Sequence, residues 1–195
     1  MFTMTKTMAA LAGLATAASL TALPSAPAAA SEDPALASAR GFLSEYGASQ
    51  ATQDRLIETY LAGETWDSLS SSSKPVTVDE RSAADGEYTV STYEDGSIAV
   101  TRLETPTAEG PRAGRGISGC SVSGRTYSNC KIDTWVGVVQ LAFRASYNLG
   151  TNQVTNAYGY EYTIIGACGA SPSLARPAGN IARLSINAQM CAMPL

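Results

Sequence analysis

The clearest pattern in the chain lies between Trp135 and Leu149. Trp135, Val139, Leu141, Phe143, Ala145, Tyr147 and Leu149 fall on one parity, and Gln140, Arg144, Ser146 and Asn148 on the other. Period two over that length predicts one β-strand with a single buried face. Residues 117–122 and 127–133 flank a Ser123-Gly124 turn and predict two more strands, and 154–165 predicts another. The last strand spans 180–190, with Ala182, Leu184, Ile186 and Ala188 on one side. Gly150-Thr151-Asn152 is a tight-turn signal between the two long strands. The expectation is five strands, as an antiparallel meander or a small sandwich.

Before this region the spacing changes to that of helices. Asp33-Pro34 reads as an N-cap with a first-turn proline, and Leu36, Ala39, Leu43 and Tyr46 recur at helical spacing until Gly47. Ser49 caps a second helix whose apolar stripe is Leu56, Ile57, Tyr60 and Leu61, ending at Gly63. Trp66 and Leu69 are placed to fold back on the pair as a lid. The serine run Ser70–Ser73 with Lys74-Pro75 reads as a connector. A hairpin follows, with Tyr88, Val90, Ile98 and Val100 on one face around a three-residue Glu94-Asp95-Gly96 turn. Pro106, Gly110, Pro111 and Gly114 mark an exposed linker over 105–116, open to proteolysis at Arg112 and Arg115.

Composition narrows the class. A chain of 195 residues, 45% hydrophobic and 15% charged, holds one or two small globular domains. An apolar run from Met8 to Leu23 follows Lys6, Pro24 breaks it, and Ala28-Ala29-Ala30 offers the small residues that signal peptidase accepts. This predicts export with cleavage after Ala30, leaving no transmembrane segment in the mature, secreted protein. In an oxidising compartment Cys120, Cys130, Cys168 and Cys191 are expected to pair. The gaps between them are too long for zinc knuckles, so no metal is expected. Of the three connectivities, Cys120 with Cys130 and Cys168 with Cys191 would each clip a local hairpin.

The predicted organisation is a signal peptide (1–30), an acidic helical region (31–70), a connector and hairpin (71–104), an exposed linker (105–116) and a disulfide-bonded β domain (117–195). The fold class is therefore α+β, a helical pair and hairpin before a small antiparallel sheet or sandwich. Charge divides at the linker: residues 31–115 carry 15 acidic and seven basic side chains, whereas 116–195 carry two and five. That split allows either two differently composed surfaces or an acidic leader masking a basic product. The acidic helical pair would repel phosphates, so no nucleic-acid partner is expected.

Chemistry is restricted by an absence, since the chain has no histidine. Histidine-dependent nucleophiles, histidine acid/base catalysis and histidine metal sites are excluded, and no motif implies a cofactor. Asp133 and Glu161 are the only carboxylates of the second region and would be the minimal pair of a glycoside hydrolase; ordinary ion pairing and exposure explain them as well. Tyr158, Tyr160 and Tyr162 share a parity and would form an aromatic stripe able to stack on a sugar or centre a protein interface. Packing in the core is the competing explanation.

The Ala-rich signal, Leu56-Ile57 and Trp66-Asp67 in the acidic helices, and Gly119-Cys120 through Asn129-Cys130 to Trp135-Val136-Gly137 carry a resemblance. On residues 40–70 and 117–150 the chain resembles secreted proteins of high-GC Gram-positive bacteria that have no assigned activity. The resemblance implies export and a disulfide-bearing β domain, with no catalytic residues to transfer. The reading reached from the residues is a secreted, non-catalytic binding or interaction module. Its ligand would be extracellular: a carbohydrate, a cell-wall polymer or a protein. Two alternatives stand beside it, a small effector released from an acidic leader, and a carboxylate-dependent glycoside hydrolase.

Overall fold

Two helices open the described part of the chain because each has a cap at both ends. In α1 (Pro34–Glu45) the Asp33 side chain accepts the Ala35 N–H at 2.8 Å, proline occupies the first turn, and Gly47 at φ 88° ends the helix. In α2 (Gln50–Leu61) the Ser49 hydroxyl accepts the Thr52 N–H at 3.2 Å, and Gly63 at φ 81° follows the last turn. These details are those of a computed structural model, which describes residues 33–108 and 119–191. Every described element belongs to the unit Glu32–Leu195. The proposed cleavage position Ala30 and the linker arginines Arg112 and Arg115 lie outside the described residues.

The apolar stripes meet as the spacing requires. Leu36, Ala39 and Leu43 join Leu56, Ile57 and Tyr60 in one cluster, and an Arg40–Asp54 ion pair at 2.5 Å links the helices. Trp66 folds back into this cluster, fully buried, with its Nε1–H donating to the Leu56 carbonyl at 2.6 Å.

Eight strands form one sheet: β1 (Thr77–Ala83), β2 (Gly86–Thr92), β3 (Ile98–Glu104), β4 (Thr107–Ala108), β5 (Ser121–Ser123), β6 (Thr126–Trp135), β7 (Val139–Asn148) and β8 (Gln153–Ile164). All pairings are antiparallel except β4 with β5. Strand β6 is long enough to take two partners on one edge. Val100–Leu103 pairs with its Ile132–Trp135 half, and β5 pairs with Thr126–Ser128. The other edge takes β7, and β8 lies beyond it. The turns at 93–97, 136–138 and 165–166 share one end of the sheet, and the helices cap that end. Val136 and Val138 enter the helical cluster, and the Tyr60 hydroxyl donates to the Ile165 carbonyl at 2.5 Å.

Strands β9 (Ala167–Ala178) and β10 (Ile181–Met190) make a separate two-stranded ribbon. Its half-buried face holds Pro172, Leu174, Ala182, Leu184 and Ile186, alternating with exposed Ser171, Ser173, Arg183, Ser185 and Asn187. The expected disulfides are both formed, Cys120–Cys130 and Cys168–Cys191.

Several expectations need correction. The pattern from Trp135 to Leu149 is two strands, because Gly137 at φ 76° breaks it: Trp135 ends β6, and β7 begins at Val139. Only glycine fits there, since φ is positive and a Cβ would come within 3.2 Å of the Trp66 ring. The turn after β5 is Gly124-Arg125, one residue later than expected, with glycine at φ 58°. Strand β9, whose glycine, serines and prolines hide any apolar run, makes the strands among the described residues after 116 six in number rather than five. Strand β1 precedes the hairpin as a wholly exposed edge, and exposure leaves no alternation to read. Thr107 and Ala108 belong to β4 rather than to an unpaired linker. The hairpin turn has the Tyr93 N–H donating to Ser97 O at 2.9 Å, with Gly96 at φ 80°.

Burial raises the pKa of Tyr60 to about 12. Between pH 10 and 12 the unfolded chain would lose this proton while the folded chain keeps it, so the stability present below pH 10 falls as pH rises. Tyr93 and Tyr147, also raised by burial, act in the same direction. Tyr60→Phe should therefore cost about 1 kcal/mol at neutral pH through the lost hydrogen bond and flatten the decline of the melting temperature above pH 10. An equally steep alkaline decline in the variant would show that Tyr60 is not its source.

Candidate functional site

Pairing across β3, β6, β7 and β8 sets side chains in rows on one face of the sheet. Val100, Trp135, Gln140 and Thr163 form one row; Arg102, Asp133, Ala142 and Glu161 the next; Lys131, Arg144 and Tyr158 the third, where the Glu104 carboxylate accepts the Lys131 N–H at 2.9 Å. Because Ala142 is small, the side chains on either side of it can meet across the second row. Asp133, 1% exposed, accepts from Arg102 Nη2 at 2.6 Å and lies 3.1 Å from Lys131 Nζ. Lys131 also reaches Glu161 at 3.4 Å, Arg102 Nη1 bonds Asp85 at 2.7 Å, and Arg144 faces Glu104 at 3.7 Å. The Asp133 carboxylate beside it raises the Lys131 pKa against the opposing effect of burial. Hydrogen bonds from Tyr88 and Arg102 lower that of Asp85.

Asp133 and Glu161 thus stand on one face, as a paired-carboxylate site would require, but with a lysine ammonium between them. Arg102 secures the buried member. Neither carboxylate lines the clefts described below. The arrangement is that of an ion-pair network, which orients the sheet, and at its centre Asp133 Oδ1 is buried with no hydrogen-bond partner among the described residues, facing Lys131 Nζ as an ion pair at 3.1 Å.

Three register shifts interrupt these pairings, one in β6 and two in β8, the second β8 shift falling opposite Ser146 and Tyr147. Asn129 in β6 is left-handed at φ 59°, and Gly159 in β8 at φ 62° lets 159–160 oppose the single residue Phe143. The bulge at Gly159 reverses the side-chain parity. Tyr158 pairs with Arg144 and donates to Asn129 Oδ1 at 2.7 Å on the ionic face, whereas Tyr162 pairs with Leu141 on the opposite face, to which Tyr160 also turns. The expected three-tyrosine stripe is therefore divided, although all three rings are exposed.

A cleft of about 480 Å³ lies where the first row meets α1. Trp135 and Phe42 supply its aromatic surface, and Ser38, Glu45, Gln140 and Thr163 line it with polar groups. None of those four side chains makes a hydrogen bond among the described residues. The Arg102 guanidinium lies 5.5 Å over the Trp135 ring and holds the indole in place. The alternation in the sequence conceals this cleft, because it places Trp135 on the buried parity of one long strand. Gly137, two residues on, is the signal that separates it.

The two disulfides join no metal site, and among the described residues no group of three or more histidine, cysteine or acidic side chains is placed to hold a metal. No described helix is long and apolar enough to cross a membrane. The fold and site define a helix-capped antiparallel β protein with two disulfides and an aromatic, polar cleft. Comparison with protein-family models, curated proteins and solved structures gives no match to any of them.

Proposed function

We propose that the chain is an exported, non-catalytic binding module whose cleft at Trp135 takes an extracellular carbohydrate. The observation that carries this reading is an indole ring held among four polar side chains that have no hydrogen-bond partner among the described residues. A sugar has the matching chemistry: an apolar ring face to stack on the indole, and hydroxyls for Ser38, Glu45, Gln140 and Thr163. The lysine between Asp133 and Glu161 weighs against the glycosidase alternative, which needs one free acid and one free base or nucleophile. The masked-effector alternative meets a different difficulty. The acidic part supplies β3 to the sheet and Trp66 to the cluster containing Val136 and Val138, so cutting at Arg112 or Arg115 would leave the two parts interlocked.

Binding to soluble cell-wall glycans and chitin-type oligosaccharides, measured by calorimetry, tests the reading. Gln140→Ala and Trp135→Ala should each weaken retention about tenfold, equivalent to 1.4 kcal/mol, with Gln140→Ala melting at the wild-type temperature. Glu161→Gln should bind normally. Reducing-sugar release that disappears in both Glu161→Gln and Asp133→Asn would replace this proposal with the hydrolase. Wild-type affinity in Gln140→Ala and Trp135→Ala would also overturn it.

A further inference from the structure

A second cleft lies elsewhere, under the β9–β10 ribbon, with a volume of about 660 Å³, within the range of small-molecule sites. Leu69, Val139, Leu141, Ile164, Leu184 and Ile186 give it an apolar lining from three directions: the segment after α2, the sheet, and β10. Ser68 also lines it, and the Ser68 hydroxyl is buried without a hydrogen-bond partner among the described residues. Its backbone is fixed, since the Ser68 N–H donates to the Ser97 hydroxyl at 3.0 Å. A buried, unpaired hydroxyl is costly unless a bound group completes it.

Electrostatics select the head group. Among the described residues no lysine or arginine lines the cleft, the one charged lining residue is Glu64, and the carbonyl end of α2 terminates beside it at Leu61. Both features repel an anion. We infer that the cleft between the ribbon and the helix-capped end of the sheet binds an uncharged amphiphile, an apolar body with one hydroxyl or carbonyl head that pairs with Ser68. This site shares neither Trp135 nor the ionic rows with the proposed carbohydrate cleft, so either can fail alone.

The test uses the full oxidised chain and diphenylhexatriene, a hydrocarbon probe whose fluorescence rises in apolar surroundings. Saturable uptake should be displaced by dodecanol and about tenfold less well by dodecanoate at pH 8. Ile186→Trp should fill the cleft and abolish uptake without altering the circular dichroism spectrum. Ser68→Ala should leave diphenylhexatriene binding unchanged and weaken dodecanol competition about tenfold, the loss of one hydrogen bond. Trp135→Ala should take up the probe as wild type does. Absence of saturable uptake, uptake that survives Ile186→Trp, or dodecanoate competing as well as dodecanol would each overturn the inference.

Discussion

Trp66→Ala should lower the unfolding free energy by about 3 to 5 kcal/mol, the cost of truncating a large buried aromatic. The indole is fully buried where both helices meet the β6–β7 turn, its ring packs 5.8 Å from that of Tyr60, and its N–H is used by Leu56 O. The truncation leaves a cavity at the junction of α1, α2 and the sheet, and it removes the surface against which Gly137 is fitted. A domain this size has about 5 to 15 kcal/mol in total, so the variant should be largely unfolded at moderate urea concentration. Trp66→Phe keeps most of the volume and should lose about 1 to 2 kcal/mol. Urea midpoints for the three proteins make the comparison. An alanine variant within 1 kcal/mol of wild type would mean that the helices do not depend on this junction.

The second large effect concerns the ribbon. Cys168→Ser with Cys191→Ser opens a loop of sequence separation 23, which the chain-entropy relation values at about 3 kcal/mol. The consequence should be local first, because β9 and β10 pair only with each other and their outer face is exposed. The clasp lies where the ribbon leaves the sheet, beside the Cys191 N–H to Gly166 O hydrogen bond at 2.9 Å. Amides of β9 and β10 should therefore exchange faster in the double variant, while those of β6 and β7 keep their protection. The other disulfide is embedded in the sheet, with Cys120 and Cys130 both buried. Uniform acceleration across both sets of strands, or an unchanged urea midpoint, would show that the ribbon is held by its packing alone.

Much of the local structure was legible because it depends on local chemistry. Asp33-Pro34, Ser49, Gly47 and Gly63 are start and stop signals acting within one helical turn, and the helices begin and end at them. The pairing of nearby cysteines follows from the shortness of the loops they close. Alternation marked β10 because it has one better-covered face; it marked β7 as well, although burial there falls on both parities, at Ala142 and Ala145, because both faces of that strand are partly covered. It could not mark β1, which is exposed on both sides, or separate β6 from β7, since the hydrophobic parity passes through the turn at Gly137.

The sequence by itself determined the helical pair with its caps and the antiparallel β character of the second half, products of short-range geometry, and favoured, among three possible connectivities, the cysteine pairing that the structure forms. Only the tertiary structure decided that β3 completes the sheet by pairing with β6, that Lys131 stands between Asp133 and Glu161, and that Tyr158 turns away from Tyr160 and Tyr162. It alone set Trp135 beside Gln140 and Thr163 and brought Ser68 to the cleft under the ribbon. The physical reason is the same in each case. Strand order, register and a single bulged residue govern which side chains meet, and these follow from pairing between distant segments, which the period of either segment does not encode.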